Sequence, residues 1–244
     1  MEPAFAADGV VRLGTDLCNW FLFEDGGGGV VVVDAGFPGY RPQLEPGLRL
    51  LGRTRADLTA VVVTHGHADH VGVAEELRQE LGLTVWVHED DAHLARSAEG
   101  RGKTEAPMLP YLRHPHAVRF LTHFRTSGKP QPIADVRTYA DGDELPGGLR
   151  AIHTGGHTAG HSVIHHASRR VLFAGDLLCT LNPLTGVPGP QLLPRPLNLS
   201  SAAMLDSLTK LEDLDVDAML VGHGETWTQG MAAAVSRARN IGPT

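Results

Sequence analysis

Ala60-Val61-Val62-Val63 runs directly into Thr64-His65-Gly66-His67-Ala68-Asp69-His70. A short apolar, β-branched run reads as a buried strand. His65, His67, Asp69 and His70 then fall just past its carboxyl end. Neutral imidazole and carboxylate are the donors that a borderline divalent cation such as zinc accepts. One histidine in a loop carries little information, but His-x-His-x-Asp-His at a strand end has few uses other than holding metal. The chain reads as a metal-dependent enzyme.

Three other places repeat the pattern of an apolar run, a glycine and a ligand-type side chain. Gly155-Gly156-His157-Thr158-Ala159-Gly160-His161 follows a strand expected over 149–153. Gly175-Asp176 follows one over 171–174, and Gly222-His223-Gly224 follows one over 218–221. Residues just beyond strand ends converge on one edge of a sheet, where glycine allows tight turns. Five histidines (65, 67, 70, 157 and 223) and two aspartates (69 and 176) suffice for two metals sharing one carboxylate.

Further strands are expected at 10–13, 20–23, 30–33, 84–87 and 162–165. The tract 26–29 is a hairpin turn, since neither Lys-Ser/Thr nor a helix signal follows it as a phosphate loop requires. Val73, Leu77 and Leu81 recur every four residues opposite Glu75, Glu76, Arg78 and Glu80, which predicts an amphipathic helix over 71–81. Two more helices are expected at about 200–211 and 228–239. The Pro-rich stretch 181–196 reads as a loop whose Leu192 and Leu193 wall the site.

The apolar fraction of 42% in 244 residues suits a single domain over 1–244. No apolar stretch has membrane-spanning length, and the first residues lack the basic-then-apolar order of a secretory signal. The two cysteines, Cys18 and Cys179, make no disulfide framework, so a cytoplasmic location is expected. The net charge of −7 argues against a nucleic-acid partner. Arg96, Arg101, Lys103, Arg113, Arg119, Arg125 and Lys129 nevertheless face only Glu99 and Glu105 locally. The segment at about 97–132 reads as a basic, partly helical, Pro/Gly-containing insertion, either an interface or a lid that draws in an anionic small molecule.

In the order of these motifs the sequence resembles the metallo-β-lactamase superfamily, over nearly the whole chain, and Asp34-Ala35-Gly36 is similar to that family's early Asp-x-Gly turn. The resemblance implies an αββα sandwich of two similar β-rich halves flanked by helices. It implies that His65, His67 and His157 hold one metal, that Asp69, His70 and His223 hold a second, and that Asp176 bridges them. Asp34 and His161 would support the ligands by hydrogen bonds. Two Zn2+ are expected, with Fe or Mn as possible substitutes. They would share a hydroxide nucleophile, since zinc-bound water has a pKa near ~7, with Asp69 both ligating and orienting it. The implied reaction is hydrolysis of an ester, thioester or lactone with an apolar acyl part. Phosphodiester or nuclease chemistry, β-lactam hydrolysis and an iron persulfide-dioxygenase-like oxidation are the alternatives, and a metal-stabilised binding protein without activity is the least favoured. The 21 residues after His223 leave no room for the helical domain of glyoxalase-II-type relatives, and Asp176 stands where true β-lactamases with a Cys ligand carry that cysteine.

Overall fold

The structure, a computed structural model, describes residues 2–97 and 104–244. The first half forms β1 (Ala4–Ala7), β2 (Val10–Gly14), β3 (Asn19–Glu24), β4 (Val30–Val33), α1 (Leu44–Leu50), β5 (Leu58–Val62), α2 (Ala74–Leu81), β6 (Thr84–His88), α3 (Ala92–Ser97), α4 (Pro115–Thr126) and β7 (Arg137–Tyr139). The second forms β8 (Glu144–Leu145), β9 (Leu149–His153), β10 (Ser162–His166), β11 (Val171–Gly175), β12 (Leu178–Leu181), β13 (Pro188–Leu192), α5 (Ser201–Ser207), β14 (Ala218–Val221) and α6 (Met231–Ile241).

Strands β1 to β7 lie side by side in chain order, antiparallel as far as β4 and parallel from β4 to β7. The second sheet runs β14-β11-β10-β9-β8, with β14 parallel to β11. Side-chain alternation sorts the strands into layers. Val30, Val32 and Val61 face one outer core with Leu44, Leu48 and Leu77 of α1 and α2. Val31, Val33 and Val62 face inward against Ile164, Phe173 and Leu220 of the second sheet. Leu172, Ala174, Met219 and Val221 face the other outer core, with Phe120, Met204 and Val235 of α4, α5 and α6. The result is the expected αββα sandwich. Phe173 is its inner keystone, meeting Phe21 at 5.5 Å and Phe23 at 5.9 Å between ring centroids. Among the described residues, no helix is long and apolar enough to cross a membrane.

Some expectations change. Helix α2 begins at Ala74 rather than Val71: its first helical bond runs from Leu77 N to the Val73 carbonyl, and the amides of Gly72 and Val73 are satisfied by the carbonyls of Gly36 and Ala35. Leu192 and Leu193 do not wall the site. Stretch 181–196 is largely the β12–β13 hairpin, and both leucines are buried in the α6-side core. Of the basic segment, Glu99, Arg101 and Lys103 lie outside the described residues. Its described part carries α4, whose Ala117 and Phe120 are buried and whose Arg119 forks onto Asp16 at 2.6 and 2.7 Å.

Phe173→Ala should cost about 3–5 kcal/mol, the usual range for emptying an aromatic site in a core, read as a shift in the urea unfolding midpoint. Glu75 offers a pH test. Its carboxylate accepts both arms of the Arg78 guanidinium at 2.7 and 2.9 Å, and the Gln79 amide at 2.6 Å. Arg78 is the main reason its pKa falls to about 2 from an ordinary 4.5. A depressed folded-state pKa contributes stability above the unfolded value and loses it on acidification. The stability gap between wild type and Glu75→Gln should therefore be constant above about pH 5 and close between 4.5 and 2.

Candidate metal centre

All seven ligand-type residues expected from the sequence meet at one rim of the sandwich, at or just past the carboxyl ends of β5, β9, β11 and β14. They form two groups, His65/His67/His157 and Asp69/His70/Asp176/His223. Within each group the ligand atoms lie no more than 4.8 Å apart. All seven are buried. Asp176 sits between the groups. Its Oδ2 is 3.4 Å from His157 Nε2, 3.9 Å from His65 Nε2 and 3.2 Å from His223 Nε2. Its Oδ1 faces His70 Nε2 at 3.4 Å.

Hydrogen bonds behind the rings fix which nitrogen faces inward. An Nδ1–H that donates outward leaves Nε2 for the centre. His70 donates from Nδ1 to Asp34 Oδ2 at 2.9 Å. His157 donates from Nδ1 to Asn198 Oδ1 at 3.0 Å, and the Asn198 amide is itself oriented by the Leu193 carbonyl and Ser201. His223 donates to the Leu17 carbonyl. Thr64 Oγ1 donates to Asp34 and accepts from His65 Nδ1 at 3.1 Å. His67 differs, presenting Nδ1, which lies 2.9 Å from His157 Nε2.

Asp34 serves two ligands at once and pays with backbone strain, at φ 58°. His161 is no ligand: its Nε2 accepts the Asp176 amide at 2.9 Å and its Nδ1 meets Thr154 Oγ1 at 2.9 Å. It therefore sets the backbone that carries Asp176. Gly222 is required by crowding, since a Cβ there would stand 2.2 Å from Asp176 Oδ1.

The charge pattern follows from burial and neighbours. His65 is held well below the usual imidazole range, first by burial and then by His70, His157 and His67. Burial pulls His70 down too, but Asp176, Asp34 and Asp69 outweigh it and hold it well above. His223 is raised by Asp176 against the same desolvation. His223 and His70 hold Asp176 well below the carboxylate range despite its burial. The centre fits divalent cations on its own geometry. His70 Nε2 and Asp176 Oδ1 are buried without a hydrogen bond. The Nε2 atoms of His65 and His157, whose other nitrogens already donate, face each other at 3.2 Å. Facing lone pairs repel unless a proton or a cation lies between them.

Two functional residues were invisible in the sequence. Asp91 is fully buried and accepts from Gly66 N at 2.9 Å, Thr158 Oγ1 at 2.6 Å and Gly160 N at 2.7 Å, so it ties the His65/His67 loop to the His157 loop. Asn198 orients His157. Neither stands in a recognisable pattern. Cys179 is a buried thiol, raised by burial and by Asp176.

The sequence profile of the metallo-beta-lactamase superfamily matches residues 13–223. The chain belongs to this superfamily. It is 25% identical to the probable metallo-hydrolase YflN of Bacillus subtilis (strain 168) over 241 residues, 90% of this chain and 85% of that one. It is 28% identical to a hydroxyacylglutathione hydrolase of Rhodobacter capsulatus over 226 residues, 90% of this chain and 66% of that one. The fold is similar to that of Rm3 metallo-beta-lactamase, with a TM-score of 0.70 at 20% identity over 99% of this chain and 92% of that one. A superfamily member with one all-histidine and one His/Asp group that could hold metal, among relatives named as hydrolases, is supported as a metallo-hydrolase.

Asp34→Asn should weaken zinc binding by about 10–100-fold, the usual effect of removing a carboxylate that orients a ligating histidine. Titration against a chromogenic chelator measures it.

Proposed function

We propose that this chain hydrolyses an ester-like bond, a thioester in the first place, with two divalent cations, zinc foremost. The observation that carries the reading is one buried carboxylate, Asp176, facing both ligand groups at once. His65, His67 and His157 would hold one cation and Asp69, His70 and His223 the other, with Asp176 between them. Such cations supply a water ionised near neutral pH and positive charge for a developing oxyanion. Asp69, beside His70 and His223 at 3.8 Å, offers a hydrogen-bond acceptor that orients the attacking water. Asp34, Thr64, Asn198 and the Leu17 carbonyl keep the imidazoles aimed.

The substrate reading rests on a cavity of about 130 Å³ against His67 and His157, where Leu94, Ala159, Leu197 and Leu199 share the wall with the polar His93, Thr104, Thr158 and Asn198. No Lys, Arg, Asp or Glu is among its described lining residues. A cavity of ~150 Å³ takes benzene, so by size an uncharged acyl group of about that bulk fits. A phosphodiester calls instead for cationic side chains along its path. Arg119 is a poor recruiter of anions, since Asp16 already neutralises it. The Rhodobacter relative's name supports the choice of bond, because a hydroxyacylglutathione is a thioester.

The protein should turn over short acyl thioesters, lose that activity to a chelator and regain it with zinc. Activity on phosphodiesters alone, or none on any acyl substrate with both cations bound, would overturn the proposal. Ala159→Phe narrows the cavity and should lower kcat/KM for a phenylacetyl or valeryl thioester about tenfold more than for the acetyl compound, a difference of about 1.4 kcal/mol.

A further inference from the structure

Two histidines outside the centre, left unassigned by the sequence, meet across the two sheets. His88 ends β6 and His153 ends β9, and their rings stack at 4.5 Å with an interplanar angle of 17°. Asp90 follows His88, with its Oδ2 3.8 Å from His88 Nδ1. One ligand atom from each of the three lies within 4.8 Å of the others. We propose that His88, Asp90 and His153 form a further binding site for a zinc-like divalent cation, separate from the paired centre and independent of the reaction proposed for it.

The tautomer of His153 is what distinguishes this cluster from a chance grouping. Its Nε2 lies 2.8 Å from the Ala159 carbonyl, which can only accept, so Nε2 carries the hydrogen and Nδ1 presents a lone pair. A ring whose far N–H is tied to a backbone carbonyl is the usual state of a metal-ligating histidine. His88 is buried and anchored, with its ring edge-on to Tyr139 at 5.6 Å. It can therefore bring a nitrogen to the ion with little loss of side-chain freedom. Its Nδ1 accepts the Asp90 amide at 3.2 Å, a bond that an ion at this nitrogen would replace. The Asp90 side chain is 57% exposed, so an ion has a direct path from solvent. Two imidazoles and a carboxylate suit zinc with one position left for water.

The position gives the site a consequence. Asp90 precedes Asp91, the residue that ties the His65/His67 loop to the His157 loop. His153 holds Ala159, which lines the cavity beside His67 and His157. A cation here would clamp both walls of the substrate pocket without touching the paired centre.

Equilibrium dialysis of the full chain against Zn2+, with metal measured by mass spectrometry, tests the site. His153→Ala and Asp90→Ala should each take up about one zinc per chain fewer than wild type at saturation. Asp90 is exposed, so its variant covers the case in which the histidine variant fails to fold. Asp176→Ala, which damages the paired centre, should retain the uptake that His153→Ala loses. It should still gain thermal stability from added zinc, and His153→Ala in that background should make the gain smaller. Equal zinc uptake by wild type, His153→Ala and Asp90→Ala at every concentration overturns the proposal, as does complete loss of uptake in Asp176→Ala.

Discussion

An ionised carboxylate with no solvent around it is costly unless positive charge surrounds it. Asp176 is such a group, fully buried, with imidazoles from both halves of the sandwich turned toward it. Much of the local architecture answers to that requirement. Gly222 is small so that the carboxylate can approach. His161 accepts the Asp176 amide and keeps the aspartate's backbone in place. Behind the imidazoles, Asp34, Asn198 and the Leu17 carbonyl hold each ring so that its lone pair points inward. With cations absent, protons on His70 and His223 provide the compensation. With cations bound, those protons must leave, so metal affinity and acidity are opposed in this protein.

The fold was legible where one period dominated. The four valines at 30–33, with alternate members facing separate cores, read as a strand buried on both faces. The ligand set was legible because strand ends, glycines and ligand-type side chains coincide four times. The segment at about 97–132 reads as partly helical, but its charge and prolines hide the bounds of the helix at 115–126, whose buried face is Ala117 and Phe120. Leu192 and Leu193 were misplaced because apolarity alone does not say which core a residue joins. The pairing of β12 with β13 decided that, and it depends on contacts distant in sequence.

The supporting residues were less legible than the ligands for a physical reason. A ligand must be His, Asp or Cys, so its identity is informative by itself. A residue that orients a ligand needs only a lone pair at the right point. Leu17 meets that need with its backbone, Thr64 with a hydroxyl and Asn198 with an amide. Asp91 does comparable work for whole loops, joining the segments of both ligand-bearing halves through three hydrogen bonds.

Both halves of the sandwich contribute to the cage, and its final member, His223, follows β14, the last strand of the second sheet. During synthesis on the ribosome, the earlier histidines leave the exit tunnel well before their partner exists. An ion captured by His65 and His67 at that stage would be loosely held and free to exchange. The second group cannot close until β14 has docked beside β11 and delivered His223, so a cation held there would be loaded at the close of folding rather than at its start.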